Sequence, residues 1–162
     1  MNRVLVEIKV LPHGEKFYLN QADGSINFLP EPSTPGSAAV DLICTHDILL
    51  YPGQTAKVQT GLAINIMQEG VCAMVLPRSG LGAKEGLILG NSVGLIDNDY
   101  QGELLCFMTN RNETETGKCL IYKAGTRFAQ MMFVPFLQPA WIAVAEFSMK
   151  TERGEGGFGS TG

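Results

Sequence analysis

The sequence predicts an all-β sandwich or jelly roll, and three observations carry the prediction. Short apolar, β-branched runs recur along the chain, many alternate at period two, and turn residues separate them. No window carries the long 3.6-residue pattern of an amphipathic helix. In the first run, residues 4–10, Val4, Val6, Ile8 and Val10 share one face. Further strands are expected at 48–51, 56–60, 62–67, 71–76, 104–110, 118–122, 128–134 and 140–144, punctuated by turns such as Tyr51-Pro-Gly53 and Lys123-Ala-Gly125. The best short-helix candidate is 79–85. Residues 13–34 are polar, bear Pro and Gly, and show no period, which reads as a loop or an irregular hairpin. Residues 113–117 read as an exposed hairpin tip between two strands.

Composition narrows the class. A chain of 162 residues with 45% apolar and 17% charged residues is expected to form one β domain over 1–150, followed by a Gly-rich arm over 151–162. The net charge of −4 argues against a nucleic-acid backbone as partner, which would demand a basic patch. It leaves room for a small nucleotide neutralised by local arginines, N–H groups or a bound cation. Cys44, Cys72, Cys106 and Cys119 are widely spaced with no C-x-x-C pair, and His13 and His46 are the only histidines. A zinc site is therefore not expected, and each cysteine reads as a small hydrophobe in reducing surroundings. No apolar run approaches membrane-spanning length, so no membrane partner is expected. Met1-Asn2-Arg3 leads straight into the first alternating run, unlike a signal peptide, and the expected location is cytoplasmic, in a host cell if the chain is viral.

The residues able to do chemistry are scattered. Arg153-Gly-Glu-Gly-Gly-Phe-Gly-Ser-Thr-Gly162 cannot pack as a core element, because its glycines are costly to order. Glycine N–H groups suit phosphate oxygens, Arg153 offers a planar fork to the same atoms, and Phe158 offers a face to a base. A disordered terminus would read the same way. A phosphate-binding loop of the Walker type is excluded, since Ser160 follows Gly159 and no lysine appears. Leu76-Pro-Arg-Ser-Gly-Leu-Gly82 leaves a strand and opens a short helix, where Arg78 and Ser79 would meet an anion; an N-cap serine is the plainer reading. Asn91-Ser-Val-Gly-Leu-Ile-Asp-Asn-Asp-Tyr-Gln-Gly102 places Asp97 as a candidate base and Tyr100 as a wall for a ring, or simply forms an acidic turn. Arg127 and Gln130 sit on an otherwise apolar strand, and Asp41 lies just inside a strand start.

Taken in order, these segments resemble the five motifs of the trimeric, all-β deoxyuridine triphosphatases (dUTPases). Ser37-Ala-Ala-Val-Asp-Leu42 is similar to the first, Pro77-Arg-Ser-Gly-Leu-Gly-Ala-Lys-Glu-Gly86 to the second, and Gly94-Leu-Ile-Asp-Asn-Asp-Tyr-Gln-Gly102 to the third. Arg127-Phe-Ala-Gln130 resembles the fourth and Arg153 to Gly162 the fifth. Ala39 stands where the first motif usually has glycine.

The resemblance implies a distorted jelly roll (β-clip) with one short helix after the second motif. It implies hydrolysis of dUTP to dUMP and pyrophosphate, with Mg²⁺ on the triphosphate and Asp41 reaching that metal through water. It implies Asp97 as the base holding the attacking water. Arg78, Ser79, Gly80 and Gln130 are the implied phosphate contacts, and Asn91 with the backbones of Leu95, Ile96 and Leu105, on a hairpin around Asn91 to Leu105, the uracil contacts. Tyr100 would lie against the deoxyribose and exclude a 2′-hydroxyl. Arg153, Phe158, Gly159 and Ser160 would close over the site of a neighbour in a homotrimer.

Two alternatives stand beside this reading. One is the related dCTP deaminases, which lack such a tail and carry a second arginine and a catalytic glutamate after the Arg-Ser pair, where this chain has Gly80-Leu-Gly82. The other is an added regulatory protein partner, bound through residues 12–34 or 113–117.

Overall fold

The computed structural model describes residues 3–157, and among these ten strands form two sheets and a ribbon. One antiparallel sheet contains β1 (Val6–Val10), β4 (Thr55–Ile66), β8 (Glu103–Asn110) and β6 (Leu87–Leu89), in the order β1-β4-β8-β6. The second contains β2 (Val40–Ile43), β10 (Arg127–Pro135), β5 (Val71–Pro77) and β7 (Gly94–Ile96), in the order β2-β10-β5-β7. β3 (Ile48–Leu50) and β9 (Leu120–Tyr122) pair as the ribbon. The expected all-β sandwich is what forms.

Alternation explains how the layers meet. Along β8, Leu104, Cys106, Met108 and Asn110 are buried while Leu105 and Phe107 face out. β1 alternates half-buried Val6, Ile8 and Val10 with exposed Glu7 and Lys9. One core cluster draws on both sheets and the ribbon, with Leu42, Leu50, Leu62, Leu104 and Phe128 essentially inaccessible. Each such side chain contributes about 1.5–3 kcal/mol by leaving water. Cys44, Cys72 and Cys106 are buried and free, as their apolar surroundings predict, and burial pushes the Cys106 thiol up to about 12. No helix among the described residues is long and apolar enough to cross a membrane.

Four elements depart from the expected pattern. The runs at 56–60 and 62–67 are one strand, β4, which continues through Gly61 at φ +70°. Its register against β8 shifts between Gln59 and Ala63, so the glycine marks a bulge rather than an end. A side chain at Gly61 would stand 2.6 Å from the Gly14 Cα.

Residues 140–144 are not a strand: Trp141 and Ile142 are 88% and 85% exposed, and no described strand offers them a ladder. Residues 113–117 are not a hairpin tip, because the short turn Thr114–Thr116 carries the chain from β8 in the first sheet to β9 in the ribbon. Within 13–34, a 3-10 turn (Pro12–Gly14) runs into α1 (Glu15–Tyr18), and a Leu19–Ile26 bridge then closes the irregular hairpin. Tyr18 is buried there, and its hydroxyl donates to the Thr60 carbonyl at 2.9 Å. The helical turn Leu81–Glu85 falls within the predicted 79–85, but it lies inside the second motif rather than after it.

Asn110 ties these parts together from a fully buried position. Its Nδ2 donates to the carbonyls of Leu50 (3.0 Å) and Lys118 (2.9 Å), joining β8 to the ribbon. Its Oδ1 accepts from the Asn112 backbone N–H (3.0 Å) and side-chain amide (2.7 Å), and the same amide donates to the Glu85 carbonyl (2.7 Å) at the end of the helical turn. Removing a buried hub strands its partners' polar groups. Asn110→Ala is expected to cost about 2–3 kcal/mol, read as a lower midpoint in urea unfolding. An unchanged midpoint would show that the carbonyls find other donors.

Candidate active site

The first polar cavity, about 770 Å³, opens where β2, β10 and β5 lie side by side. Gln130 on β10 is in register with Asp41 on β2 and with Leu76 on β5, so the three stand abreast and line the same space. Arg78 follows β5 directly. Its Nε donates to Asp41 Oδ1 at 2.8 Å and its Nη1 to the Arg127 carbonyl at 3.2 Å. Arg127 Nη1 stands 3.6 Å from the other Asp41 oxygen.

Arg127 and Gln130 are three residues apart and would face opposite ways in a regular strand. A register shift between Arg127 and Ala129 puts Arg127 beside Asp41 all the same. The Gln130 amide donates to the Pro77 carbonyl at 2.9 Å, fixing the start of the Arg78-Ser79 corner. Ser79 and Gly80 complete this wall. The cavity therefore offers one oriented guanidinium, an amide and a hydroxyl to an anion, with the Asp41 carboxylate among them.

Residues outside the sequence assignment also line it: Ser33, Ser37, Lys84, Glu85 and Met132. Ser37 is set by the turn in which its hydroxyl accepts the Thr34 N–H at 3.1 Å. Glu85 is drawn aside by the Tyr122 hydroxyl, which donates to it at 2.6 Å. Burial, then the hydrogen bond to Glu85 and its charge, push the Tyr122 phenol above its ordinary range. Lys84 could have been noticed in the sequence, since it lies one helical turn beyond Gly80.

A second, smaller pocket of about 130 Å³ is lined by Leu95, Ile96, Asp97, Tyr100, Glu103 and Leu105. The sequence suggested a hairpin over 91–105, but β7 pairs with β5 and β8 with β4 and β6. Residues 97–102 instead cross from the second sheet to the first. Asp97 is exposed at the start of that crossing, and the Tyr100 N–H returns to its carbonyl at 3.2 Å. The Tyr100 hydroxyl donates to the Glu103 carbonyl at 2.9 Å, and its ring lies over Gly102, where a Cβ would stand 2.5 Å from that hydroxyl. Asn91 sits exposed in the turn before β7 and lines neither pocket.

Glu103 carries no mark in the sequence, yet it is the most heavily engaged side chain of this pocket. Its Oε1 lies 2.8 Å from His13 Nε2 and accepts the Gly61 N–H at 2.9 Å, while Oε2 accepts the Gln59 amide at 3.4 Å. Burial raises its carboxyl pKa, but these donors outweigh it and hold the group below the ordinary glutamate value.

The two pockets share no residue, and Arg153 lines neither. Arg153 closes a local turn instead, its Nε donating to the Gly156 carbonyl at 2.8 Å. The assignments at Phe158, Gly159 and Ser160 lie outside the described residues.

Known proteins match both the sequence and the fold. The dUTPase family profile matches residues 27–162. The deoxyuridine 5'-triphosphate nucleotidohydrolase of Hydrogenovibrio crunogenus is 50% identical over 136 residues, covering 83% of this chain and 86% of that one. A dUTPase point mutant from Staphylococcus bacteriophage 80alpha, solved with dUpNHpp, superimposes with a TM-score of 0.82 over 98% of each chain at 25% identity. A mutant dUTPase of S. aureus phage phi11, solved to detail the coordination of a structural Mg(II) ion, shares the fold at a TM-score of 0.74 and 21% identity, over 90% of this chain and 99% of that one. With its profile match reaching from residue 27 to the last residue, this chain belongs to the dUTPase family.

Proposed function

We propose that the protein hydrolyses dUTP to dUMP and pyrophosphate, with Mg²⁺ accompanying the triphosphate. The observation that carries this reading is the pair of unlike pockets: a roomy polar cavity fronted by Arg78, Ser79 and Gln130, and a small slot walled by β7, Tyr100 and Leu105 with Asp97 at its lip. The first suits a chain of phosphates and the second a pyrimidine nucleoside.

β7 supports base reading because it is an edge strand, bonded only to β5. Half of its backbone groups therefore lack a strand partner, and N–H and C=O groups near Leu95 and Ile96 can meet the edge of a base. Such fixed groups select uracil over cytosine, since swapping a carbonyl for an amine leaves a buried group unpaired. Asn91, at the turn into β7, and the Leu105 backbone would complete these contacts. Tyr100 would press against the sugar and leave no space for a 2′-hydroxyl.

In the reaction, Asp97 holds and deprotonates the water that attacks the α-phosphorus. Arg78, Ser79, Gly80 and Gln130 hold the phosphate oxygens in line, and charge stabilisation there supplies most of the acceleration. Asp41 fits an ion that keeps most of its waters: the cavity's other carboxylate, Glu85, is taken by the Tyr122 hydroxyl, and no cage of three or more His, Cys, Asp or Glu side chains exists among the described residues. Bound there through water, Mg²⁺ would neutralise charge on the triphosphate.

The same reading makes the working unit a homotrimer. Within one chain the two pockets have no lining residue in common, and on this reading one nucleotide spans the nucleoside slot of one copy and the phosphate cavity of another. The run after β10 supports contact between copies, with Leu137, Trp141, Ile142, Phe147 and Met149 each at least 78% exposed. Residues 151–162 would then act as an arm, bringing Arg153, Phe158, Gly159 and Ser160 over a neighbour's bound nucleotide and opening again once pyrophosphate is formed.

Pyrophosphate release from dUTP, dCTP, dTTP and UTP with Mg²⁺ tests the assignment directly. Turnover of dUTP alone is expected; deamination of dCTP would move the chain to another activity. Asp97→Asn should still bind dUpNHpp while losing about 10²–10⁴-fold in kcat, and a rate near wild type would refute the base. Truncation after Glu152 should leave the sedimenting trimer intact and reduce hydrolysis by at least about tenfold; full activity in the truncate would make the arm dispensable.

A further inference from the structure

We propose that Glu103, gripped by His13, positions Tyr100 for sugar discrimination, so that the N-terminal turn of the chain sets the preference for deoxyribose. The inference rests on the dUTP reading above.

It begins at the β4 bulge. The register shift between Gln59 and Ala63 takes the Gly61 N–H out of the ladder with β8, and the Glu103 carboxylate accepts it at 2.9 Å instead. The 3-10 turn Pro12–Gly14 packs onto the same point: the Leu11 N–H donates to the Gly61 carbonyl at 2.8 Å, and Gly14 and Gly61 leave no room for a Cβ on either. That contact delivers His13 Nε2 to the Glu103 carboxylate at 2.8 Å. Two elements, β4 and the N-terminal turn, thus converge on one side chain at the first residue of β8.

The backbone carbonyl of that residue accepts the Tyr100 hydroxyl at 2.9 Å. Tyr100 is 41% exposed, and Gly102 beneath it offers no side chain. Its ring therefore depends on the hydroxyl anchor for its place, and the anchor depends on the Glu103 carboxylate. Glu103 acts through Tyr100 and is a positioning residue, while His13 closes the Glu103 side chain against solvent. This makes residues 12–18 part of the specificity apparatus, although they precede every recognisable motif.

Steady-state kcat and KM for dUTP and UTP, measured on the full-length protein, four single variants and one double variant, test the chain of dependence. Glu103→Ala should lower the dUTP-over-UTP ratio of kcat/KM by about tenfold, chiefly through a lower KM for UTP. Glu103→Gln keeps an oxygen for Gly61 and should retain most of the preference. His13→Ala should lose about threefold. Tyr100→Phe should lower the ratio as Glu103→Ala does, and the double variant should lose no more than either alone, as expected for residues acting in series.

A Glu103→Ala protein with a lower melting temperature but an unchanged ratio would make Glu103 merely structural and overturn the proposal. So would independent, multiplying losses in the double variant. Should Glu103→Ala fail to fold, His13→Ala and Tyr100→Phe alter exposed side chains and carry the test alone: two unchanged ratios overturn it. Absence of any dUTP turnover by the wild type would instead overturn the functional reading beneath it.

Discussion

Two glycine backbones in contact hold this fold in its working shape. Gly14 in the N-terminal turn and Gly61 in the β4 bulge approach so closely that a Cβ on the first would meet the Gly61 oxygen at 2.7 Å. Glycine's positive φ at Gly61 permits the bulge, and its missing side chain permits the contact. Around this point the Tyr18 hydroxyl reaches the Thr60 carbonyl, the Thr60 hydroxyl reaches the Leu104 carbonyl, and the Thr45 N–H reaches the Gln59 carbonyl. Buried polar groups at a ladder defect must be paired, and here the pairing locks the N-terminal turn, the β2–β3 connection and β8 to one place on β4.

That defect explains what could be read from the sequence and what could not. Period-two alternation in β1 and β8 was visible because each strand buries one face over several residues. β6 escaped because its three residues, Leu87 to Leu89, are all apolar and show no alternation. The glycine in β4 looked like an end because pattern reading cannot tell a bulge from a break. Residues 140–144 have strand composition but no ladder within the described chain, and composition alone does not supply a partner.

The site divides along the same line. Arg78, Ser79, Asp41 and Gln130 were legible as candidates, and the structure gathers them in one cavity. Their orientation was not legible, because the shift between Arg127 and Ala129 changes which face each residue takes. Asp97, Leu95, Ile96, Tyr100 and Leu105 also gather as expected, on a crossing between sheets rather than a hairpin. Glu103 and His13 were invisible because they lie 90 residues apart and meet only through the glycine contact.

The charges of the larger cavity set the terms on which it can act. Arg78 and Lys84 are balanced there by Asp41 and Glu85, so the lining has no formal excess of positive charge to offer a polyanion. In a protein of net charge −4, long-range attraction does not supply the deficit either. Asp41 does contribute orientation: by taking the Nε of Arg78 at 2.8 Å it holds that planar fork in one attitude, and preorganised donors avoid the cost of turning at the moment of reaction. Under the proposed reading, the missing positive charge must arrive with the substrate, as a hydrated cation on the phosphates, or from another copy, as Arg153 on its arm. Binding would then assemble the charge balance that the lone chain lacks. A bare nucleoside monophosphate brings less of that cation and gives the arm less to hold, so the balance that assembles the site also favours release of the product.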